Sequence, residues 1–514
     1  MDFLNKTYAV TFDENGHWLF AKSAASVISG NGGESLIALI KSQTKSKKRK
    51  IVVWNFHLSE MIIWSKLNFS HVEQHSMRSF IVKFANFENI EFRNAKEFYR
   101  SDIKKIAEKK NISFKNELAI IWYAMELERL TNGGKIHRIP VTAIGYVSRT
   151  ITTFDGFNKN GMDLYRLGKS ITPETHSVIS DCKNGGLCGV DWGRIDYPCV
   201  VNSYDFKSFY PWIMSTQIFP AGRYVCIHGL TESSFRFQRF NTKAQNGEML
   251  WIARARFKYI RPKGINWLGF NGSGQIIYTF TNLDYLIIQS DYEFSIEEFT
   301  EFIPFELCKK LPQVLRDYIG KQFQIKESFK KGSQEYENAK IFLNSIFGLF
   351  CQNQERYGKS IDCFTARQRP MVIGVFVTAY GRFFLWDIAH KHNPLIWDTD
   401  GFKTEDTLDL ELFNQSRETI GRMGKLLCEA EYAECTVFGN KQYCIDGVLK
   451  LSGTDGKLAT EYCLKNNIVP KVGTVIPPEF TNKIVVKDNK MIKVPYTIGL
   501  KFFEEDKDEI NFEC

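Results

Sequence analysis

The chain has 514 residues, 44% of them hydrophobic, and its 67 basic and 58 acidic residues give a net charge of +9. This length allows two to four domains with a large core, and the composition is that of an ordinary soluble globular protein. We find no apolar run near the roughly 18–20 residues of a membrane span and no signal-peptide core at the N-terminus. The sequence therefore predicts a cytoplasmic protein without a membrane partner, whose basic excess is compatible with a polyanionic ligand.

The cysteines give no sign of a metal site. The chain has twelve of them, none in a Cys-x-x-Cys pair. The closest spacings, Cys182 to Cys188 and Cys428 to Cys435, lack the nearby His or Cys ligands of a zinc site. We expect reduced and mostly buried thiols. The basic run at residues 45–50 either contacts phosphates or forms a solvated loop, and the solvated loop is favoured.

Several elements can be predicted in chain order. Residues 1 to about 180 alternate short apolar strands with amphipathic helices. The Gly-rich run Lys183–Gly189 is the best candidate for a domain boundary. Strand-like runs occur at 199–201 and 251–257, residues 311–350 are mainly helical with a break near Gly332, and the last sixty or so residues return to short strands. This order predicts a mixed α/β (α+β) protein with a central antiparallel sheet.

Carboxylates follow two of the predicted strands. Asp205 follows the apolar run Cys199–Val201 and precedes a helix start in which proline is tolerated. Asp398 and Asp400 follow the run Leu395–Trp397, and they either share one face of a strand or lie at the tip of a hairpin. Phosphoryl transfer needs hard cations that bridge substrate oxygens, and Mg²⁺ accepts a few carboxylates while keeping sites for substrate. The alternative for each segment alone is a helix cap or a solvated turn.

A third segment, Lys340–Gly348, favours the metal-dependent phosphoryl-transfer site over the helix cap or solvated turn. Lys340, Asn344 and Phe347 are spaced i, i+4 and i+7, on one face of a helix. This face offers a cation for phosphate, an amide and an aromatic plate for a base. An ordinary amphipathic helix would have aliphatic residues there, so the spacing indicates a working surface.

In this order, the three segments resemble the motifs of the family B DNA polymerases, and more narrowly the protein-primed branch of small tailed phages and linear plasmids. Residues 205–211 resemble Asp-x-x-Ser-Leu-Tyr-Pro. Residues 340–348 resemble Lys-x-x-x-Asn-Ser-x-Tyr-Gly with Phe347 for the tyrosine, and residues 397–401 resemble Tyr-x-Asp-Thr-Asp-Ser with Trp397 and Gly401 substituted. Residues 378–382 resemble Thr-x-x-Gly-Arg, residues 441–443 resemble Lys-x-Tyr, and residues 183–186 resemble a Tyr-x-Gly-Gly junction without its tyrosine.

The resemblance implies a right-hand polymerase with palm, fingers and small thumb, preceded by a ribonuclease H-like exonuclease-type domain. The implied domains are 1–182 exonuclease-like, 183–255 first part of the palm, 256–308 an insertion like the terminal-protein region, 309–352 fingers, 353–450 second part of the palm, and 451–514 thumb. Within the 256–308 insertion, Thr281-Asn282-Leu283-Asp284 resembles the segment that docks the priming protein.

The resemblance also implies residue roles. Asp205, Asp400 and Asp398 would be catalytic and, with the Phe206 carbonyl, would hold two Mg²⁺ or Mn²⁺ ions. The nucleotide would be bound by Tyr210, which excludes a 2′-hydroxyl, and by Lys340, Asn344, Phe347 and Lys326. DNA would be held by Gly185, Gly186, Ser208, Thr378, Arg382, Lys441 and Tyr443.

The chain departs from the family at its exonuclease motifs. Thr11 and Asp13 stand where the first motif has Asp-x-Glu, Ser59 replaces the second acidic residue, and Ser113 and Glu117 fall on the third motif. Two of four carboxylates are missing, and a hydroxyl cannot supply the charge that a divalent metal needs. We expect an inactive exonuclease domain, although a one-residue shift would let Glu14 or Glu60 serve.

The interval between Gly348 and Gly374 is shorter than the family's template-wrapping hairpin, which predicts weak strand displacement. The predicted function is template-directed addition of dNTPs to a primer, with DNA, dNTPs and a terminal priming protein as partners of a monomer. Two alternatives stay open, namely an untemplated or RNA-templated nucleotidyltransferase and a catalytically silent nucleic-acid-binding or scaffold protein.

Overall fold

A computed structural model describes residues 172–270, 272–351, 371–481, 483–487 and 490–499, together with seven strands and Ser35 before residue 95. The chain forms two compact units. The first comprises residues 1–161 and 317–349, and the second comprises residues 162–316 and 350–514.

The N-terminal part of the first unit has a seven-stranded mixed sheet. Its strands are β1 Thr7–Phe12, β2 His17–Ser23, β3 Ser26–Asn31, β4 Ile51–Asn55, β5 Phe69–Gln74, β6 Phe80–Phe84 and β7 Phe87–Asn94. The order is β3-β2-β1-β4-β7-β6-β5. The β1–β3 meander is antiparallel, whereas β4 runs parallel to both β1 and β7. An antiparallel meander that continues into parallel strands agrees with the predicted ribonuclease H-like topology.

The exonuclease-type positions are only partly covered by this sheet. Thr11 lies in β1, opposite Leu19. Asp13, Ser59, Ser113 and Glu117 lie outside the described residues, as does the shortened interval at residues 352–370.

Nine α-helices have both ends within the described part of the chain. They are α1 Pro173–Asp181, α2 Phe209–Thr216, α3 Phe235–Gln245, α4 Asn282–Asp291, α5 Gln313–Ser328, α6 Gln334–Cys351, α7 Met371–Ala389, α8 Leu410–Gln415 and α9 Gly456–Lys465. The helical prediction for residues 311–350 is confirmed, because α5 and α6 are separated by a turn in which Gly332 has a φ of +87°.

The second unit contains the remaining strands. They are β8 Cys188–Val190, β9 Cys199–Phe206, β10 Ile218–Pro220, β11 Ile227–Leu230, β12 Leu250–Pro262, β13 Gly272–Thr281, β14 Tyr292–Phe305, β15 Cys308–Lys310, β16 Ile396–Asp398, β17 Gly401–Thr404, β18 Leu426–Gly439, β19 Gln442–Ile445, β20 Val448–Leu451, β21 Val475–Ile476, β22 Ile484–Lys487, β23 Lys490–Lys493 and β24 Tyr496–Thr497.

The centre of the second unit is a seven-stranded antiparallel sheet. Its order is β20-β19-β18-β9-β17-β16-β8, which confirms the predicted central antiparallel sheet. One face of β9 packs against helices: the Phe206 ring lies 4.4 Å from that of Phe209, and Trp212 of α2 lies 5.0 Å from Phe384 of α7. Because side chains alternate along a strand, the neighbouring residues Ser203 and Asp205 point to the opposite face.

A second antiparallel sheet has the order β11-β14-β12-β13. Its core is aromatic, with Trp251, Phe280, Phe299 and Phe302 all fully buried. The predicted boundary between residues 255 and 256 falls inside β12, and the boundary between 308 and 309 falls inside β15. The strand that the sequence predicts at residues 251–257 continues through Pro262, so a boundary at residue 255 would divide it.

The C-terminal segment packs around α9. Ala459, Ile476 and Ile498 have no exposed surface, and they form one cluster with residues of β19 and β20. The predicted thumb boundary between residues 450 and 451 lies within β20, so this strand belongs to both the central sheet and the final core.

Helix α7 has the length and composition of a membrane span, although the sequence analysis expects none. Its 19 residues are long and apolar enough to cross a bilayer by length and composition, but most of that surface is buried inside the unit. Such burial is typical of the core helix of a globular fold. Gly374 within α7 permits this packing, since a Cβ there would lie 2.7 Å from the Phe350 carbonyl oxygen.

Candidate polymerase active site

The three aspartates lie on adjacent strands of the central sheet. Asp205 is the penultimate residue of β9 and is directly opposite Gly401 of β17. Asp398 ends β16 and is opposite the same Gly401 on the other side. Cross-strand partners share a face of the sheet, so the register brings the Asp205 and Asp398 positions to the face opposite the helices.

Asp398 and Asp400 are joined by a tight hairpin rather than lying on one strand. Thr399 and Asp400 form the two-residue turn, in which Thr399 has a φ of +59°. The backbone N–H of Phe206 donates to the Asp400 carbonyl at 2.8 Å, and that of Thr399 donates to the Leu187 carbonyl at 2.7 Å. Of the two arrangements left open by the sequence, the structure has the hairpin tip.

The glycine after this turn is required by its neighbours. A Cβ at Gly401 would lie 2.5 Å from the Tyr204 carbonyl oxygen and 2.8 Å from Asp205 Oδ1. These contacts also place the Asp205 carboxylate over the start of β17. The substitution of glycine for the family's serine therefore has a steric reason in this chain.

Asp398 is held by three donors on one oxygen. Its Oδ1 accepts from Cys188 Sγ at 3.1 Å and from Thr399 Oγ1 at 3.0 Å, and Lys441 Nζ lies 3.0 Å away. Burial is the largest single effect and lowers the pKa of Lys441, but the hydrogen bonds and electrostatic interactions with Asp398 and Cys188 together outweigh it, so the net pKa is raised. Burial raises the pKa of the Cys188 thiol, which keeps it a neutral donor.

Tyr210 occupies a slot made by two glycines. A Cβ at Gly186 would lie 2.9 Å from the Tyr210 hydroxyl and from the Thr399 methyl group, and a Cβ at Gly381 would lie 3.0 Å from the Tyr210 ring. Burial raises the pKa of Tyr210, so the phenol stays protonated at neutral pH. Gly186 thus packs between Tyr210 and the aspartate hairpin, whereas Gly185 is exposed.

Arg382 and Thr378, to which the family resemblance assigns DNA binding, are buried inside the protein. Arg382 is 4% exposed and makes a two-pronged ion pair with Asp284, at 2.7 and 2.8 Å. Its remaining Nη1 donates to the carbonyls of Asn184 and Gly185 at 3.0 and 2.8 Å. Thr378 is buried, and its hydroxyl donates to the Val375 carbonyl. A guanidinium buried by such partners cannot reach a DNA phosphate without losing them.

Ser208, Lys441 and Tyr443 lie in the same unit as the aspartates. Ser208 precedes α2 with a φ of +51° and makes no side-chain cap. Lys441 is exposed in a left-handed turn with a φ of +55°. Tyr443 is half-buried in β19, and Lys403 Nζ lies 5.5 Å from the centre of its ring.

The predicted nucleotide-binding helix forms as expected within the first unit. Lys340 and Asn344 are exposed and Phe347 is half-exposed, whereas Phe342, Leu343 and Ile346 are buried. Lys326 is 5% exposed, with its ammonium 5.3 Å from the Phe323 ring and 5.7 Å from the Tyr336 ring. The contact of Lys326 with a triphosphate stays a prediction, and in this structure the buried ammonium lies near two aromatic rings.

Sequence reasoning missed Cys188 and Lys403, and it placed Asp284 in a segment that docks a priming protein without foreseeing its ion pair with Arg382. Cys188 and Lys403 reach the aspartates only through strand pairing, which no local pattern reveals. Asp284 had a local signal, because Thr281 and Asp284 have the spacing of a capping box, and the structure contains that box. Its ion pair with a residue 98 positions away could not be read from the sequence.

Comparison with known proteins agrees with this architecture. Residues 180–368 match the family described as DNA polymerase type B, organellar and viral. The chain is 24% identical to the DNA polymerase of Bacillus phage Nf over 292 residues, which cover 51% of this chain and 49% of that protein. It is 22% identical over 336 residues to a protein of Ascobolus immersus named "Probable DNA polymerase", covering 57% of this chain and 27% of that one. The match to the phage protein thus spans about half of its length.

Solved structures extend the likeness to nearly the whole chain. Phi29 DNA polymerase complexed with primer-template DNA and incoming nucleotide substrates has a TM-score of 0.69 at 15% identity, over 96% of this chain and 99% of that one. Its orthorhombic crystal form has a TM-score of 0.67. This likeness confirms the predicted right-hand polymerase fold. The match at residues 180–368 agrees with the family resemblance of the sequence motifs.

Proposed function

We propose that this protein is a template-directed DNA polymerase that adds dNTPs to a primer by phosphoryl transfer. The observation that carries the proposal is the register that brings Asp205, Asp398 and the Asp400 turn together on neighbouring strands. The names of the relatives support the same activity. We place it in the cytoplasm of a host cell.

The donor set fits hard divalent cations. Asp205 and Asp400 flank Gly401, and the Phe206 carbonyl is the proposed backbone ligand. Two carboxylates and a carbonyl form the oxygen-rich environment that Mg²⁺ and Mn²⁺ prefer. Three donors already engage Asp398 Oδ1, so we assign Asp398 the smaller share of the binding. A pair of such ions, when bound, would activate the primer hydroxyl and neutralise the triphosphate.

The other residues of the chain would position the substrates. We assign Tyr210 the exclusion of ribonucleotides, because its ring packs closely against Gly186 and Gly381. Lys340, Asn344 and Phe347 form the exposed face of α6 that would meet the nucleotide. Arg382 would act indirectly, because it holds the carbonyls of Asn184 and Gly185 next to Gly186, which packs beside the hairpin. Thr378 would act through the packing of α7, in which it is buried.

The finer properties are also part of the proposal. The family resemblance supports priming by the hydroxyl group of a terminal protein. The hydroxyl residue Thr11 at an exonuclease-type position supports loss of proofreading, and the short interval after Gly348 supports weak strand displacement. Primer degradation and displacement on nicked circular DNA would test the last two properties.

The first experiment is primer extension on a single-stranded template with Mg²⁺. We compare the wild type with Asp400→Asn, and use Asp406→Asn as the matched control because the Asp406 carboxylate is an exposed partner of His392. Extension by the wild type and the control, with at least a hundredfold loss in Asp400→Asn, would support the proposal.

A wild type that binds primer-template but extends no DNA primer would be tested again with a protein hydroxyl as primer. Failure of both primers, or equal extension by Asp400→Asn, would reject the polymerase proposal. Extension without regard to template sequence would instead support an untemplated nucleotidyltransferase.

A further inference from the structure

Lys403 occupies a place on the aspartate face that the sequence motifs do not assign. It lies two residues beyond Gly401 on β17, opposite Ser203 of β9. Two residues along a strand correspond to about 7 Å. Lys403 therefore lies on the same face of the sheet as Asp205, at the next position of β17 that faces this way. It is on the side of Asp205 that leads toward the apolar cluster containing Val201 and Ile396.

The ammonium group of Lys403 makes few contacts with the described residues. Nζ donates to Ser203 Oγ at 3.2 Å and lies 5.5 Å from the centre of the Tyr443 ring. An ammonium has three donors, and among the described residues Ser203 is its single hydrogen-bond acceptor. Two N–H groups therefore remain for an anionic ligand that approaches this face.

Holding a cation here has an energetic cost. Burial lowers the pKa of Lys403, although the negative charges of Asp205 and Asp398 act in the opposite direction. A lysine whose folded pKa lies below its unfolded value favours the unfolded state while it is charged, and stability rises with pH only as the folded pKa is passed. If Lys403 had no function, an apolar residue at this position would make the folded protein more stable.

We propose that Lys403 binds a phosphate of the primer strand, one nucleotide back from the growing end at the aspartates. This rests on the proposed polymerase function. The hydroxyl that reacts must lie at Asp205, so the nearest phosphate of the same strand lies a short distance along the sheet. Lys403 lies two strand residues from Gly401, about 7 Å along the sheet, and has two N–H groups that could bind this phosphate. The Tyr443 ring beside the ammonium limits the approach of the phosphate to one side.

The test is the salt dependence of primer-template binding without dNTP, measured by fluorescence anisotropy. Lys403→Met removes the charge, and Lys403→Gln removes it while keeping a donor for Ser203. Lys391→Met is the control, because Lys391 is exposed and paired with Asp387. We expect the Lys403 variants to weaken binding about tenfold and to lower the slope of log K against log salt by about one, with no change in the control.

A second readout separates this role from a structural one. If Lys403 serves DNA, Lys403→Met unfolds at a higher temperature than the wild type at pH values where Lys403 is charged, because it removes a desolvated charge. If Lys403 serves the fold, it unfolds at a lower temperature, and any loss of DNA binding follows the loss of folded protein. If Lys403→Met does not fold, the slope of log K against log salt measured on Lys403→Gln decides whether Lys403 binds DNA.

An unchanged slope in both Lys403 variants would overturn the inference while leaving the polymerase proposal intact. Absence of primer-template binding by the wild type would instead remove the proposed function on which the inference rests. The Asp400→Asn variant distinguishes the two cases further, since it should bind DNA with the wild-type slope while failing to extend it.

Discussion

The buried pair Arg382–Asp284 offers the sharpest test of how the candidate site is supported. Arg382 and Asp284 are 4% and 2% exposed, and the carboxylate meets the guanidinium at 2.7 and 2.8 Å. Asp284 Oδ2 also accepts from the Thr281 backbone at 3.1 Å and from its hydroxyl at 2.8 Å, which completes the capping box of α4. Asp284→Ala removes both functions at once.

The expected loss is large because the remaining guanidinium stays buried without its counter-charge. Removing one partner of a buried pair costs about 3–5 kcal/mol, and loss of a helix cap adds about 1 kcal/mol. Total stabilities of about 5–15 kcal/mol are usual for a domain, so this one change removes a large part of it. The double variant Asp284→Leu with Arg382→Met should recover at least half of the loss, since it leaves no unpaired charge.

Equilibrium unfolding in urea, followed by tryptophan fluorescence, measures these differences. Glu418→Ala is the control because the Glu418–Lys310 pair is exposed, and such pairs contribute about 0–1 kcal/mol. The reasoning would be refuted by an Asp284→Ala loss no larger than the control, or by a double variant no more stable than the single one. Primer extension should fall in parallel, because Arg382 holds the carbonyls of Asn184 and Gly185 beside the site.

Three further predictions concern single residues. Gly401→Ala should reduce extension at least tenfold without abolishing folding, because its Cβ would collide with the Tyr204 carbonyl and displace Asp205; wild-type activity would contradict the hairpin geometry. Tyr210→Val should raise the ratio of ribonucleotide to deoxynucleotide incorporation at least tenfold in single-nucleotide extension, and an unchanged ratio would remove its discriminating role. Lys326→Met should alter thermal stability but leave the KM for dNTP within about twofold, because the ammonium lies between two rings; a much higher KM would restore the predicted triphosphate contact.

Local patterns were sufficient for the elements that carry the motifs. The i, i+4, i+7 spacing in residues 340–347 predicted a helix with a working face, and the structure has that helix with Lys340 and Asn344 exposed. The apolar runs before Asp205 and Asp398 predicted strands, and both are present. These predictions succeeded because side-chain periodicity depends only on backbone geometry.

Burial and pairing were decided by the tertiary structure. Arg382 and Lys326 have the appearance of exposed cations in the sequence, yet both are enclosed by groups distant along the chain or on a neighbouring helix. The sequence left open whether Asp398 and Asp400 share a strand or cap a hairpin, and the pairing of β16 with β17 selected the hairpin. The sequence by itself determined which chemical groups the protein has and the helices and strands that carry them. Only the register of the strands, which depends on contacts between distant segments, decided which groups meet, and it is this register that brings Lys403 beside Asp205.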